Sequence, residues 1–230
     1  SRGLKTLVSV LSERHRVFVM APSSNRSAVS HCIKMNEPLE LVRISDDFYT
    51  CSGFPADCVI NGLKSGIFPK IDVVVAGINY GANIGTDIIY SGTCGAARQG
   101  SLYKVPSIAV SLEHPKAWEA KEEEYNFENL ARFVLENLEA LVGLSSTESP
   151  LTFINVNGIS CQEYKGMKIV KQIAERDYGD QVKLEKTEKG YKSHFIMGRS
   201  QTYGGDLCDY RISEDGYVAV AVMATLPVCV

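Results

Sequence analysis

No stretch of this chain approaches the ~20 consecutive apolar residues of a membrane-spanning helix. The expectation is a chain without a transmembrane segment, and its start does not have the pattern of a signal peptide. A basic excess is missing as well: 24 Lys and Arg stand against 27 Asp and Glu, a formal net charge of −3. Nucleic-acid surfaces announce themselves by clustered basic charge, so a nucleic-acid polymer is not the expected partner. Cysteine occurs seven times, at Cys32, Cys51, Cys58, Cys94, Cys161, Cys208 and Cys229, but no pair has C-x-x-C spacing. His31 adjoins Cys32, yet neighbours on one strand face opposite ways. A thiolate metal site and a catalytic Cys are therefore disfavoured, and reduced, mostly buried thiols of a cytoplasmic protein are expected. Internal repeats and low-complexity segments are also lacking.

What is present is ordinary globular composition. Of 230 residues, 45% are apolar and 22% charged, enough to bury a core without covalent staples. Leu4, Leu7, Val8 and Leu11 predict a helix over 3–13 by their spacing. The apolar run 17–21 predicts a buried strand, followed by a polar loop from Ser23 to Ser27. Residues 39–51 suggest a hairpin about Ser45-Asp46-Asp47. Pro55 opens a helix that reaches about Leu63. Residues 71–76 predict a second buried strand, Gly77 to Gly85 a glycine-rich loop, and 106–112 a third strand. The longest helix is expected at 124–142. Strands alternating with helices imply a parallel α/β sheet over the first two-thirds. Beyond Gly158 the segments 168–174, 181–186 and 191–197 favour strand, with a turn at Glu188-Lys189-Gly190. The division expected is a core over 1–158 and a β-rich part over 159–230.

Ligands of open α/β sheets bind beyond the carboxyl ends of the strands. Three polar segments fall there: Asn25 to Ser27, Gly77 to Gly85, and Ser91 to Thr93. Each has an ordinary explanation. The first two can be plain loops, without a G-x-G-x-x-G or Walker pattern, and Ser91 can be a simple N-cap. Together they point further. Ser and Asn offer neutral hard oxygens suited to Mg²⁺ or Mn²⁺ once carboxylates supply charge. Gly92 admits an anion to backbone N–H groups, and a helix starting there turns its positive end toward it. That combination suits a phosphate ester.

The same residues carry a resemblance to the SurE (survival protein, 5′-nucleotidase) family. Its carriers are Ala21-Pro22 with Asn25-Arg26-Ser27, Pro55-Ala56-Asp57-Cys58-Val59, and Gly77-Ile78-Asn79 with Gly81, Asn83 and Gly85. Tyr90-Ser91-Gly92-Thr93, the stretch Pro106 to Ser111, and Asp209 with Gly216-Tyr217-Val218 complete the match, which covers nearly the whole chain in order. The resemblance implies a Rossmann-like three-layer α/β sandwich with a mostly parallel sheet and a β-rich C-terminal hairpin. It implies hydrolysis of nucleoside 5′-monophosphates by a metal-activated water, with polyphosphate as a further substrate of some members. One Mg²⁺ or Mn²⁺ per subunit is implied, with Ser27 and Asn79 as ligands. Ser91, Gly92 and Thr93 are implied as phosphate contacts. Asn79, Asn83, Ser91 and Thr93 form the expected catalytic set, Asn83 either positioning substrate or stabilising its loop. Self-association as dimer or tetramer is implied, with 181–197 as a candidate arm.

The sequence departs from the family pattern in three places. The Asn-Asp-Asp-Gly segment that carries two Asp ligands is absent, and Ser1 to Leu4 match the family residues on its C-terminal side; the two carboxylates are expected upstream of Ser1. Cys208 stands where a Thr precedes Asp209, and Ala219 to Met223 replace the usual ending. Without the Asp pair, a nucleotide-binding or assembly protein without turnover is the alternative. His31 lies near Ser27 and reads as structural or, less simply, as an acid facing the site.

Overall fold

The computed structural model describes residues 1–227, apart from the side chain of Trp118; Cys229 lies outside the described residues. In chain order the elements are α1 (Arg2–Leu11), β1 (Val19–Pro22), β2 (Leu41–Ser45), β3 (Phe48–Cys51), α2 (Pro55–Lys64), β4 (Val74–Tyr80), α3 (Asp87–Tyr90), α4 (Gly92–Leu102) and β5 (Ser107–Glu113). There follow α5 (Phe127–Leu144), β6 (Thr152–Ile159), β7 (Met167–Ile169), β8 (Glu175–Asp177), β9 (Gln181–Thr187), β10 (Gly190–Ile196), β11 (Gln201–Tyr203), α6 (Asp209–Glu214) and β12 (Val218–Ala224).

The main sheet has the order β4-β5-β6-β12-β7. β4, β5 and β6 run parallel, β12 is antiparallel to β6, and β7 is parallel to β12. The last strand of the chain thus sits inside the main sheet. Burial on both faces explains its composition: Ile108, Ala109, Val110 and Leu112 of β5 are all fully buried, the near-continuous apolar run of a covered parallel strand. On one face α1 and α5 pack, and Leu7, Leu130, Val134 and Leu141 meet Ile108, Ile154 and Val156 there. On the other face lies α4, contacting β4, β5 and β6, and α2 packs beside it on α4 and β1. This is a three-layer α/β sandwich. α4 comes close because it is small: a Cβ on Gly100 would lie 2.3 Å from Ser107 Oγ, and one on Gly95 2.7 Å from the Ser30 carbonyl.

A second sheet, β1-β3-β2, stands apart. β1 is parallel to β3, and β2 and β3 form the antiparallel hairpin that the sequence suggests. Among the described residues the outer edge of β1 and the outer edge of β4 have no strand partner, and both strands line one cleft of about 1660 Å³ together with Leu4, Leu7 and Ile78.

One boundary corrects the sequence reading. The segment from Gly77 is not loop from its start, because β4 continues through Gly77, Ile78 and Asn79 to Tyr80. Gly77 serves close packing: its φ is 139°, and a Cβ there would lie 2.3 Å from the Val110 carbonyl oxygen.

β9 and β10 form an antiparallel hairpin in register from Gln181↔Ile196 to Thr187↔Gly190. In this register Val182, Leu184, Tyr191 and Phe195 share one face, since alternate residues point the same way. They form an apolar patch beside Lys186 and Ser193 of the same face, open to solvent, each of the four being between 58% and 67% exposed.

Candidate active site

Strand alternation turns Ile78 and Tyr80 toward α1 and α5, and Asn79 toward α4. The carboxamide of Asn79 is fixed in direction. Its Nδ2 donates to the Gly81 carbonyl at 2.9 Å and to the Tyr80 carbonyl at 3.2 Å. Oδ1 is left to face Thr93, whose Oγ1 stands 3.5 Å away.

Thr93 belongs to the first turn of α4. Ser91 is the N-cap, and its hydroxyl accepts from the Cys94 amide at 3.1 Å. The amides of Gly92 and Thr93 are among the donors that a helix leaves without an internal partner. Such an end, carrying about half a positive charge, attracts anions. The Ser27 loop closes on the same spot. Ser30 donates its amide to the Tyr90 carbonyl at 2.8 Å, and a Cβ on Gly92 would sit 3.0 Å from Val29 and 3.5 Å from the Arg26 carbonyl. Ser27 donates its hydroxyl to Asn25 Oδ1 at 3.1 Å. Ser27, Asn79, Asn83, Ser91, Gly92 and Thr93 all border the cleft between the two sheets. The three segments chosen from sequence therefore meet at one place.

Asn83 is the most committed of them. It is 7% exposed. Its Nδ2 donates to Ser111 Oγ at 2.6 Å, and its backbone is held by Asn155 and Asn157. Asp209, 1% exposed, completes this support, accepting from the Gly85 amide at 2.7 Å, the Ala174 amide at 2.9 Å and the Tyr210 amide at 3.0 Å. Burial raises the Asp209 carboxyl above the usual carboxylate range, and the backbone N–H bonds oppose the rise. Sequence reasoning did not single out this network. The signal was there in Asn155 and Asn157, two polar residues at i and i+2 of an otherwise apolar strand, hence on one face.

His31 turns to α4 and pairs its Nε2 with Gln99 Oε1 at 2.8 Å, a structural contact. Cys208 caps α6, its sulfur accepting from the Arg211 amide. Cys51, Cys58, Cys94 and Cys208 are buried as free thiols, whereas Cys32 is exposed. Burial pushes the Cys94 thiol up to about 11, which makes it a poor nucleophile.

As a metal centre the residues present fit in kind but not in charge. Asn25, Ser27 and Asn79 supply neutral oxygens, the donor type of hard dications. Among the described residues no group of three or more His, Cys, Asp and Glu could hold a metal ion. Two carboxylates would be needed to complete such a set.

Fold and site together define a three-layer α/β protein whose polar cluster gathers beyond the carboxyl ends of its strands, at a helix N-terminus. The chain belongs to the SurE family: the family model described as Survival protein SurE matches residues 1–179. The 5′-nucleotidase SurE of Petrotoga mobilis is 38% identical over 234 residues, covering 97% of this chain and 88% of the relative. That of Thermosipho melanesiensis is 36% identical over 226 residues, covering 95% and 84%. In structure, the chain resembles the SurE protein from Aquifex aeolicus with a TM-score of 0.79 at 31% identity, covering 99% of this chain and 90% of that one.

Proposed function

We propose that this chain is a 5′-nucleotidase that releases phosphate from nucleoside 5′-monophosphates with the help of a divalent cation. The observation carrying the reading is the meeting of Asn79, Thr93 and the Ser27 loop at the N-terminus of α4. Relatives named 5′-nucleotidase SurE support the activity.

In this reading Ser27 and Asn79 hold the ion by their oxygens. Two carboxylates are required beside them to balance its charge. The ion supplies Lewis-acid activation and charge neutralisation when bound. The chain's own residues do the rest. Ser91, Thr93 and the Gly92 and Thr93 amides hold the phosphoryl oxygens at the point where charge develops. Asn83 keeps its loop in place and borders the cleft where substrate and water enter. No protein nucleophile is required.

The test is a phosphate-release screen of the full protein across nucleoside 5′-monophosphates, polyphosphate, Mg²⁺ and Mn²⁺. Turnover with one of the metals, lost on chelation, is the expected result; metal-independent turnover would refute the ion's role. The neutral charge of the donor set favours one second reading, nucleotide binding without hydrolysis. Tight nucleotide binding with no release under any metal is its signature.

Self-association is part of the proposal. The apolar patch on the β9–β10 hairpin is the kind of exposed surface that seeks a partner, and a second copy is the occupant expected, giving a dimer or tetramer. Converting Val182, Leu184, Tyr191 and Phe195 together to Thr is expected to yield a monomer by sedimentation analysis. An unchanged assembly would exclude the hairpin as the arm. Free buried thiols suit a cytoplasmic setting. Among the described residues no helix is long and apolar enough to cross a membrane.

A further inference from the structure

At the rim of the cleft, on the side of α3, Asp87, Arg176 and Tyr178 form a cluster that the phosphate chemistry does not use. Arg176 Nη1 donates to Asp87 Oδ2 at 2.6 Å, and Tyr178 donates its hydroxyl to Asp87 Oδ1 at 2.7 Å. The side chains of Arg176 and Asp87 are only 13% and 17% exposed. The Nε of Arg176 is buried without a hydrogen-bond partner among the described residues. The guanidinium carbon lies 5.4 Å from the centre of the Tyr178 ring.

The cluster is held rigidly although its members lie about ninety residues apart. Thr86 donates its hydroxyl to the Arg176 carbonyl at 3.0 Å and accepts from the Arg176 amide at 2.8 Å. A Cβ on Gly85 would lie 2.7 Å from the Ala174 carbonyl. The glycine-rich loop and β8 are thus clamped together at the edge of the cleft.

Its position relative to the phosphate site is set by α3. Asp87 precedes Ser91 by four residues, a rise of about 6 Å along a helix. In a nucleoside 5′-monophosphate the sugar is joined to phosphorus through one ester oxygen and one methylene. A phosphoryl group at Ser91 to Thr93 therefore places its sugar within reach of this rim. The chemistry also selects. Arg176 and Asp87 cancel each other's charge, so the rim does not favour a second phosphate. A carboxylate beside unused guanidinium donors matches vicinal hydroxyls, which both donate and accept. The open part of the Tyr178 ring offers a flat apolar surface to what lies beyond them.

We infer that Asp87, Arg176 and Tyr178 form the nucleoside subsite, Asp87 and Arg176 binding the sugar hydroxyls. This rests on the phosphatase reading above and specifies which end of the substrate the rim receives. The test compares adenosine 5′-monophosphate with p-nitrophenyl phosphate, an ester without sugar. In Asp87→Asn, the ratio of kcat/KM for the nucleotide to that for the sugarless ester should fall about ten- to a hundredfold, the scale of a lost charge-assisted hydrogen bond. In Tyr178→Phe, which removes a single hydroxyl, it should fall several-fold. Calorimetry on the same proteins should show binding of adenosine 5′-monophosphate weakened more than binding of inorganic phosphate. A wild-type protein that cleaves neither ester overturns the phosphatase reading, while the calorimetry still decides the subsite. Equal losses for both esters and for phosphate, or no loss in either variant, overturn the subsite.

Discussion

Asn79→Ala should lower phosphate release from a nucleoside 5′-monophosphate by about 10²–10³-fold, the usual effect of removing one preorganised polar group from a transition-state site. The size follows from how the carboxamide is held. Both Nδ2 contacts, to the carbonyls of Gly81 and Tyr80, lie on the side away from Thr93. The oxygen is thereby aimed at the cleft without any reorientation at the moment of reaction. An Ala leaves neither the oxygen nor the constraint on the β4 end. Asn79→Asp keeps an oxygen but puts carboxylate charge against two carbonyls, so it should restore metal affinity while leaving turnover low. Steady-state assays over a Mn²⁺ titration separate the two effects. Full activity in Asn79→Ala would remove Asn79 from the site.

The second large effect is on stability. Asp209→Ala should lower the unfolding free energy by about 3 kcal/mol or more, because it strands buried N–H groups of Gly85 and Ala174, each worth about 1–3 kcal/mol when left unmade. Urea denaturation reads this directly, and a loss under about 1 kcal/mol would show that water or loop movement replaces the carboxylate. The pH dependence has a definite sign. Burial holds the Asp209 carboxyl above its unfolded value of 3.8, so the folded state keeps this proton longer than the unfolded one. Its contribution to stability is therefore greatest below pH 3.8 and falls as pH rises through the folded value, then levels off. Asp209 does not drive acid unfolding. Its ionisation at neutral pH costs stability, and the N–H bonds to two separate loops offset that cost. Asp209→Asn removes the titration but turns an amide N–H₂ toward a backbone donor, so it should flatten this part of the pH curve without restoring wild-type stability.

Much of the fold was legible because local chemistry and tertiary role agree. The apolar spacing of Leu7, Leu11, Leu130, Val134 and Leu141 marked two helices that pack on one face of the sheet. Pro55 and the Ser91 cap marked the other two helix starts that matter. The three segments of the candidate site stood out for a similar reason: Ser, Asn and Gly at strand ends have few structural uses together. Legibility failed where a residue's partner is remote. Gly77 read as loop, yet it is glycine because Val110 of the neighbouring strand leaves no room for a Cβ. Asn83 read either as positioning substrate or as stabilising its loop, and only the remote Ser111, which takes its amide, shows how the side chain is held. Arg176 and Tyr178 carried no signal at all, since their meaning comes only from Asp87, about ninety residues earlier in the chain. The split of the strands into two sheets was equally invisible, because strand period does not name a neighbour.

That split has a mechanical consequence. Ser27 follows β1, in the three-stranded sheet, whereas Asn79 ends β4, in the five-stranded one. No backbone ladder fastens the two sheets to each other among the described residues. Both the Ser27 loop and α2 bear on α4, with Val29 and Pro55 pressed on Gly92 and the Ser30 carbonyl on Gly95. Among the described residues the spacing of Ser27 and Asn79 thus depends on close contacts with α4, and a methyl added on Gly92 or Gly95 would act as a shim between them.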